Sequence, residues 1–413
     1  MTRTIPFADD FWEVRYKSED VRAYKRYLKI VNLSKQGHTA ASIERILRTN
    51  NVSKYLRGQK KSFLVNLEEW RERLGPPTRG FRWLPIRLKP RGTPDNEWIQ
   101  VPSKIKRFPD VWSVLDQRPQ LEDANGARRA FAFETKDEPL AERINLFGFL
   151  LGAMIGDASK PAKGQSRFPS MTVALTLSKA KANSIRFGRF SAACMEVSLG
   201  LRMPRIRDAE PSARRFTNAE CYRWVSQSSP LVGWVFRVCL GLKEGETTTW
   251  DAVDMRWILR TSKSFLTHFM QGLAESDGHV DAGRDRVCIV SSPNTRLIVE
   301  VLRKLGVNPK VYSQPPIERV EIPTADAAGL PIFSERVCSK NHKNMQIMAK
   351  AKRFPPRRQL SEWFVKRIPK APAGAINYSQ ACLMLAKTTG YKISNKTMMK
   401  YSLFDGQCAR QST

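Results

Sequence analysis

The sequence predicts an α+β protein in which one α+β unit occurs twice in tandem, between small helical flanks. Three observations carry this reading. A glycine-dotted apolar run ending on an acid appears at 149–158 (F-L-L-G-A-M-I-G-D-A) and again at 269–278 (F-M-Q-G-L-A-E-S-D-G). Phe149/Phe269, Gly152/Gly272 and Asp157/Asp277 share one register, each pair 120 residues apart. Each run is followed by the same kind of material: a strand-like stretch, a helix-like stretch ending in Leu-Gly, then a basic strand-like stretch. The flanks show helical spacing with caps and breakers.

The elements follow in order. Residues 1–75 read as helical. Tyr24 to Gln36 places Tyr27, Leu28, Ile30, Val31 and Leu33 on one face, and Gly37 breaks the pattern. Thr39 caps a second helix with Ile43, Ile46 and Leu47 inward. Asn50-Asn51 turns the chain into a third helix near Val52, with Ser53 near its cap. This is helix–turn–helix spacing, and it leaves Lys54, Arg57, Lys60 and Lys61 to face phosphates or bases. A three-helix bundle with a solvated basic face has the same pattern, and the charge of the segment favours DNA.

Residues 76–140, rich in Pro, Gly and Arg, are a linker or a small β-element. Residues 141–245 hold the first unit, with a strand in M-T-V-A-L-T-L-S, a helix from about Lys181 to Leu199 and a strand in M-P-R-I-R. Residues 246–350 hold the second, with R-V-C-I-V-S-S, a helix from about Asn294 to Leu305 and P-K-V-Y. Residues 351–370 read as a basic linker within a last segment, 351–413. That segment ends in a helical unit with Gly390 at a turn and Ser394 near a cap, either a second helix–turn–helix or a packed helical hairpin.

Lys and Arg total 70 against 39 acids, a formal net charge of +31. An excess spread along the whole chain substitutes for the counterions of a polyanion, which points to nucleic acid. Cysteines at 194, 221, 239, 288, 338, 382 and 408 form no C-x-x-C pair. Zinc and dithiol chemistry are thereby unsupported, and core thiols in a reducing compartment are expected. No apolar run reaches a membrane span, and the first residues do not resemble a signal peptide. A cytoplasmic protein is expected, nucleoid-associated if prokaryotic.

Gly148, Gly152 and Gly156 recur every fourth residue and so line one helix face. Each glycine costs a helix roughly 1 kcal/mol relative to alanine. A close approach by the second run, with Gly272 and Ser276 as its small residues, offsets that cost. If the two helices run side by side in the same direction, Asp157 and Asp277 meet at their C-terminal ends. There, carboxylates repel each other and the helix dipoles unless a cation such as Mg²⁺ joins them.

The motifs L-L-G-A-M-I-G-D-A and M-Q-G-L-A-E-S-D-G resemble those of the LAGLIDADG homing endonuclease family in its single-chain, two-motif form, over roughly 141–350. The second motif is looser, with Gln271 and Glu275 inside it. The resemblance implies a pseudo-twofold αββαββα pair, a monomer with saddle-shaped antiparallel sheets over double-stranded DNA. It also implies Mg²⁺ held by Asp157 and Asp277 with the carbonyls of Gly156 and Ser276, and cleavage of both strands. Lys179 in T-L-S-K-A-K falls where the family places a basic residue near the scissile phosphate. The second unit has I-V-S-S-P-N there, so either Arg284 or Arg286 substitutes or catalysis is weakened. Lys163, Arg167, Arg205, Arg207, Arg284, Arg286 and Lys310 lie on or near the strands that would read the DNA. The alternative is a protein that keeps the fold and binds DNA or RNA without cutting, as a transcription regulator or a maturase does.

Overall fold

The computed structural model describes residues 3–5, 14–86, 97–117, 131, 139–159, 162–163, 170–181, 183–209, 220–314, 317–367 and 377–400. The fold is α+β with antiparallel sheets, divided into two units. The first comprises residues 1–104, 163–171 and 228–234, and the second the remainder.

In the first unit, strands β1 (Arg3–Ile5) and β2 (Val14–Tyr16) pair antiparallel. Four helices follow: α1 (Ser18–Lys35), α2 (Ala40–Leu47), α3 (Val52–Leu56) and α4 (Phe63–Leu74). Helix α1 starts six residues before the apolar spacing does. Its first turn is polar and is anchored by Asp20, whose carboxylate accepts from the Lys17 amide at 2.8 Å. Gly37 at φ +88° lets the chain turn out of α1, and Thr39 Oγ1 accepts from the Ser42 amide at 3.3 Å. Ile30, Ile43 and Val52 form the centre, with Leu33, Leu47 and Tyr55 against it. Ile46, expected inward, is 52% exposed because Ile43 already fills the core-facing position on that turn. The cap residue of α3 is Asn51 in the left-handed region, not Ser53. The Val52 amide is satisfied by Glu44 across the turn at 2.9 Å.

The Pro/Arg-rich stretch is a β-element: β3 (Phe81–Ile86) pairs antiparallel with β4 (Glu97–Pro102). A short helix that follows the first repeat's strands, Pro230–Trp234, packs on this hairpin. The Trp234 indole is fully buried and donates to the Pro102 carbonyl at 3.1 Å.

The second unit holds the second repeat and all of the first but residues 163–171 and 228–234. Helix α5 (Phe108–Asp116) precedes α6 (Pro139–Asp157), which carries the first motif. Two-residue strands β5 (Ala162–Lys163) and β6 (Met171–Thr172) lead to β7 (Ala174–Ser178). Helix α7 (Ser184–Leu199), β8 (Arg205–Ala209) and β9 (Cys221–Val225) complete a sheet of order β7-β9-β8. Gly188 on α7 rests on the Trp224 indole, where a Cβ would stand 2.5 Å from the ring.

Counting the Pro230–Trp234 helix as α8, the second repeat runs α9 (Lys263–Asp277), β10 (Gly278–Asp281), β11 (Arg286–Ile289), α10 (Thr295–Lys304), β12 (Lys310–Gln314) and β13 (Ile317–Pro323). Its sheet order is β10-β11-β13-β12. Its last three strands, β11-β13-β12, therefore follow the same order as β7-β9-β8. The motif helices α6 and α9 of the two repeats pack together within this unit.

Three further elements close the chain: α11 (Thr324–Gly329), α12 (Lys340–Lys350) and α13 (Arg357–Arg367). Then come α14 (Tyr378–Thr389) and a helical turn at 395–400. Residues 351–370, read above as a linker, contain α13. Leu360 and Trp363 seat it in a small core with Cys382, Leu385, Ile393 and Met398. Four arginines and lysines in 357–367 masked that apolar pair in the sequence. Gly390 at φ +74° ends α14, and Ser394 Oγ accepts from the Thr397 amide at 3.1 Å, as expected. Cys194, Cys221, Cys239, Cys288 and Cys382 are buried free thiols and Cys338 is half-buried. Cys408 lies outside the described residues. Among the described residues no helix is long and apolar enough to cross a membrane.

Candidate metal centre and nucleic-acid interface

The site is made by the crossing of α6 and α9. A Cβ on Gly152 would stand 2.1 Å from the Phe269 carbonyl oxygen and 2.7 Å from the Leu273 nitrogen. One on Gly272 would stand 2.0 Å from the Phe149 oxygen and 2.8 Å from the Ala153 nitrogen. Each contact becomes the other when 120 is added to one residue and subtracted from its partner. Backbone meets backbone at distances no side chain permits. Further along, Gly148 faces Phe265 and Gly156 faces Ser276 and Asp277, so the helices run in the same direction. The glycine stripe and its partners Gly272 and Ser276 are brought together as the spacing anticipates.

Running in parallel, the helices end side by side on Asp157 and Asp277. Both carboxyls are largely withdrawn from water. Burial first, and the Asp277 charge second, push Asp157 up to about 7, against the opposing pull of Lys181. Burial pushes Asp277 up to about 6, again opposed by Lys181. Two desolvated carboxylates with one lysine between them are short of positive charge. A hard divalent cation would supply it. Among the described residues, no cluster of three or more Asp, Glu, His or Cys surrounds a common point. The Gly156 and Ser276 carbonyls lie in the last turn of their helices, where carbonyl groups outnumber intrahelical donors.

A cleft of about 1000 Å³ opens at this end, lined by Gly156, Asp157, Lys181, Ser276, His279 and Lys340 among others. Lys181 was not singled out from the sequence. Lys179 was, and its ammonium pairs with Glu220 at 3.1 Å and lies over the Tyr222 ring at 5.2 Å. The chain turns directly after β7, so the two lysines of T-L-S-K-A-K part company. A second lysine two residues on, past the strand end, was the available signal.

Glu275 and Gln271, which make the second motif looser, have a shared task. One helical turn apart on α9, they grip the segment 331–339 that joins α11 to α12. The Gln271 amide donates to the Pro331 carbonyl at 2.9 Å, and the Glu275 carboxylate accepts from the Ser334 amide at 2.9 Å. Burial pushes Glu275 up to about 7, while hydrogen bonds from Ser339 and the Ser334 amide act in the other direction. The first repeat holds the same segment. Asn183 donates to the Cys338 carbonyl, Arg186 to the Arg336 carbonyl at 2.7 Å, and Glu142 pairs with Arg336 at 3.7 Å. Segment 331–339 is a strap fastened to both repeats, and Val337 and Ser339 form part of the cleft wall.

The expected nucleic-acid residues are dispersed. Lys54, Arg57 and Lys60 are exposed around the end of α3, with the Lys60 ammonium 5.1 Å from the Tyr55 ring centroid. Lys61 pairs with Glu69 at 2.6 Å. Arg205 is exposed on β8, its guanidinium 5.5 Å from the Tyr222 ring centroid, and Arg207 stands opposite Arg223 in the ladder. Arg284 is 54% exposed at the β10–β11 turn, 3.9 Å from Asp281. Arg286 is committed elsewhere: with Arg319 it neutralises the buried Glu321. Lys310 is exposed, opposite Glu321 in the ladder, and Lys163 lies on β5. Arg167 lies outside the described residues. The stretch after β11 carries no lysine: Ser291 and Asn294 are buried, and Asn294 accepts from the Val253 amide at 3.0 Å.

No family model and no curated protein matches this chain. Among solved structures, the chain is similar to I-DmoI in complex with DNA and Mn, at 16% identity and a TM-score of 0.33, over 45% of this chain and 94% of that one. It is similar to the N-terminal LAGLIDADG domain of DUF199/WhiA at 11% identity and a TM-score of 0.30, over 54% and 96%. Full-length DUF199/WhiA from Thermatoga maritima matches at 9% identity and a TM-score of 0.35, over 70% and 97%.

Proposed function

We propose that the protein is a site-specific, divalent-metal-dependent endonuclease of the LAGLIDADG homing type, acting on double-stranded DNA as a monomer with internal pseudo-twofold symmetry. The observation that carries this is the parallel crossing at Gly152 and Gly272, which sets two half-buried, mutually repelling carboxylates side by side, with Asp157 lining an open cleft. Asp157 and Asp277, with the carbonyls of Gly156 and Ser276, would hold Mg²⁺. The bound ion supplies Lewis-acid polarisation of a phosphodiester and a water of lowered pKa. Lys181 balances charge beside the two acids and faces the phosphate that enters the cleft. Lys179, drawn back by Glu220, supports Lys181 and the turn. Arg205 and Arg207 on β8 and Arg284 at the β10–β11 turn, with Arg167 before them in sequence, read or clamp the duplex. Lys54, Arg57 and Lys60 extend the contact from the N-terminal helices.

A second reading is a binder of DNA or RNA that keeps the arrangement without efficient cutting. It is favoured by the asymmetry of the repeats: the first has Lys181 at the acids, whereas the second has buried Ser291 and Asn294 after its equivalent strand.

The test is incubation of the protein with a randomised duplex library and Mg²⁺, beside an Asp157→Asn/Asp277→Asn control. Discrete cut ends that vanish in the control support the nuclease. Salt-sensitive binding without ends in either sample sinks it and leaves the binder.

A further inference from the structure

The C-terminal helical unit is not a free arm. It is seated on the β10–β11 hairpin. Lys392 pairs with Asp285 at 2.5 Å, and Asn395 packs against Gly283, whose added Cβ would stand 2.9 Å from the Asn395 amide nitrogen. Ala282, Met348 and Ala386 make a buried contact, with Val280, Ile347 and Leu383 around it. These contacts fix α14 beside the edge strand of the second sheet.

Between β10, α12 and α14 they leave a groove of about 600 Å³. Its lining shares Val280, Ala282, Ile347 and Leu383 with that apolar contact and adds polar groups to them. Lys340, Lys387 and His279 contribute cationic or donor groups, and Asn344, Ser379 and Gln380 contribute amide and hydroxyl groups. Lys340, Lys387, His279 and Gln380 are exposed to solvent. These are the side chains that hold sugar–phosphate backbones without reading bases. The groove's acid, Asp281, is turned back onto the Arg284 amide and side chain. The groove also adjoins the cleft beside the paired acids, where His279 and Lys340 line both.

We propose that this groove is a second backbone-binding site, in which a DNA strand leaving the acid cleft runs past His279 and Lys340 to Ser379, Gln380 and Lys387 on α14. The inference rests on the reading that the cleft takes double-stranded DNA, and adds that the bound DNA is longer on the second repeat's side. The C-terminal unit then contacts backbone by its outward edge, and the complex is asymmetric although the repeats are alike.

The experiment uses the full chain, a 40-base-pair duplex of arbitrary sequence, and a Gln380→Ala/Lys387→Ala variant. Both residues are exposed and outside the C-terminal core, and a thermal melt matching wild type verifies the fold. Affinity is measured across a salt series. One lost phosphate contact lowers the slope of log K against log salt by about 1 and weakens binding at low salt several-fold. Hydroxyl-radical footprints should shorten on one side only. Wild type that binds while the variant keeps both slope and footprint overturns the groove. Wild type that binds no duplex overturns the cleft reading instead. Binding of an RNA duplex alone overturns both.

Discussion

Gly152 and Gly272 have no room for a methyl group. Gly152→Ala sets the roughly 1 kcal/mol helix-propensity gain of alanine against a Cβ 2.1 Å from the Phe269 oxygen. Overpacking costs about 3 kcal/mol, so a net loss near 2 kcal/mol is expected in chemical denaturation. Unchanged stability would mean the helices do not cross there. The acids give a second outcome. Asp157 and Asp277 sit above the ordinary carboxyl value, so the folded state holds protons that the unfolded chain releases earlier. The associated stability is complete below about pH 4 and drains as pH rises through about 6 and about 7. Without divalent cation, Tm therefore falls between about pH 4 and about pH 7. Asp157→Asn/Asp277→Asn flattens most of that slope and leaves the share of Glu275, which titrates in the same window. Added Mg²⁺ raises wild-type Tm more at the alkaline end. A flat metal-free profile would show that the carboxyls are solvated. If the protein cuts DNA, Lys181→Ala lowers kcat about 100-fold, the scale of removing one transition-state charge partner. Lys179→Ala costs much less, and the reverse order would return the role to Lys179.

Elements with a cap or a breaker were legible: Thr39 opens α2, Gly37 closes α1, and Gly390 and Ser394 bracket the last turn. Each is a local hydrogen bond or backbone conformation that one residue type satisfies. Elements whose apolar face is thin were not. Helix α13 has Leu360 and Trp363 buried among arginines and lysines, and its role depends on Cys382 and Leu385, which arrive from another helix. The strap at 331–339 was invisible for the same reason. Its grip is made of backbone carbonyls and amides, and of its partners only Gln271 and Glu275 stood out in the sequence, as departures within the second motif. Gln271→Ala/Glu275→Ala should release it. Limited proteolysis within 331–339 is expected to accelerate several-fold with α9 otherwise intact, and equal rates would deny the strap its fastening.

For the whole molecule, the repeat with the spacing of glycines and acids made the site's centre readable, whereas its surroundings were not. Lys181, His279 and Lys340 reach the cleft from a turn, an edge strand and a later helix, three places that no short motif links. Charge is the other global property. With +31 distributed over the chain, binding to duplex DNA should weaken by about 10³-fold or more between roughly 50 and 200 mM salt, provided six or more phosphates are engaged. A salt-independent affinity would assign the excess charge to another purpose.

The helix crossing has one more consequence. The gap between the two carboxyl groups is set where carbonyl oxygens and amide nitrogens of one backbone press on the α-carbons of the other. Ordinary substitutions change side chains and leave such a gauge untouched. The side chains of the two halves are thus free to diverge while the aperture between the acids stays calibrated; if the acids hold a cation, the radius that fits would be kept with it.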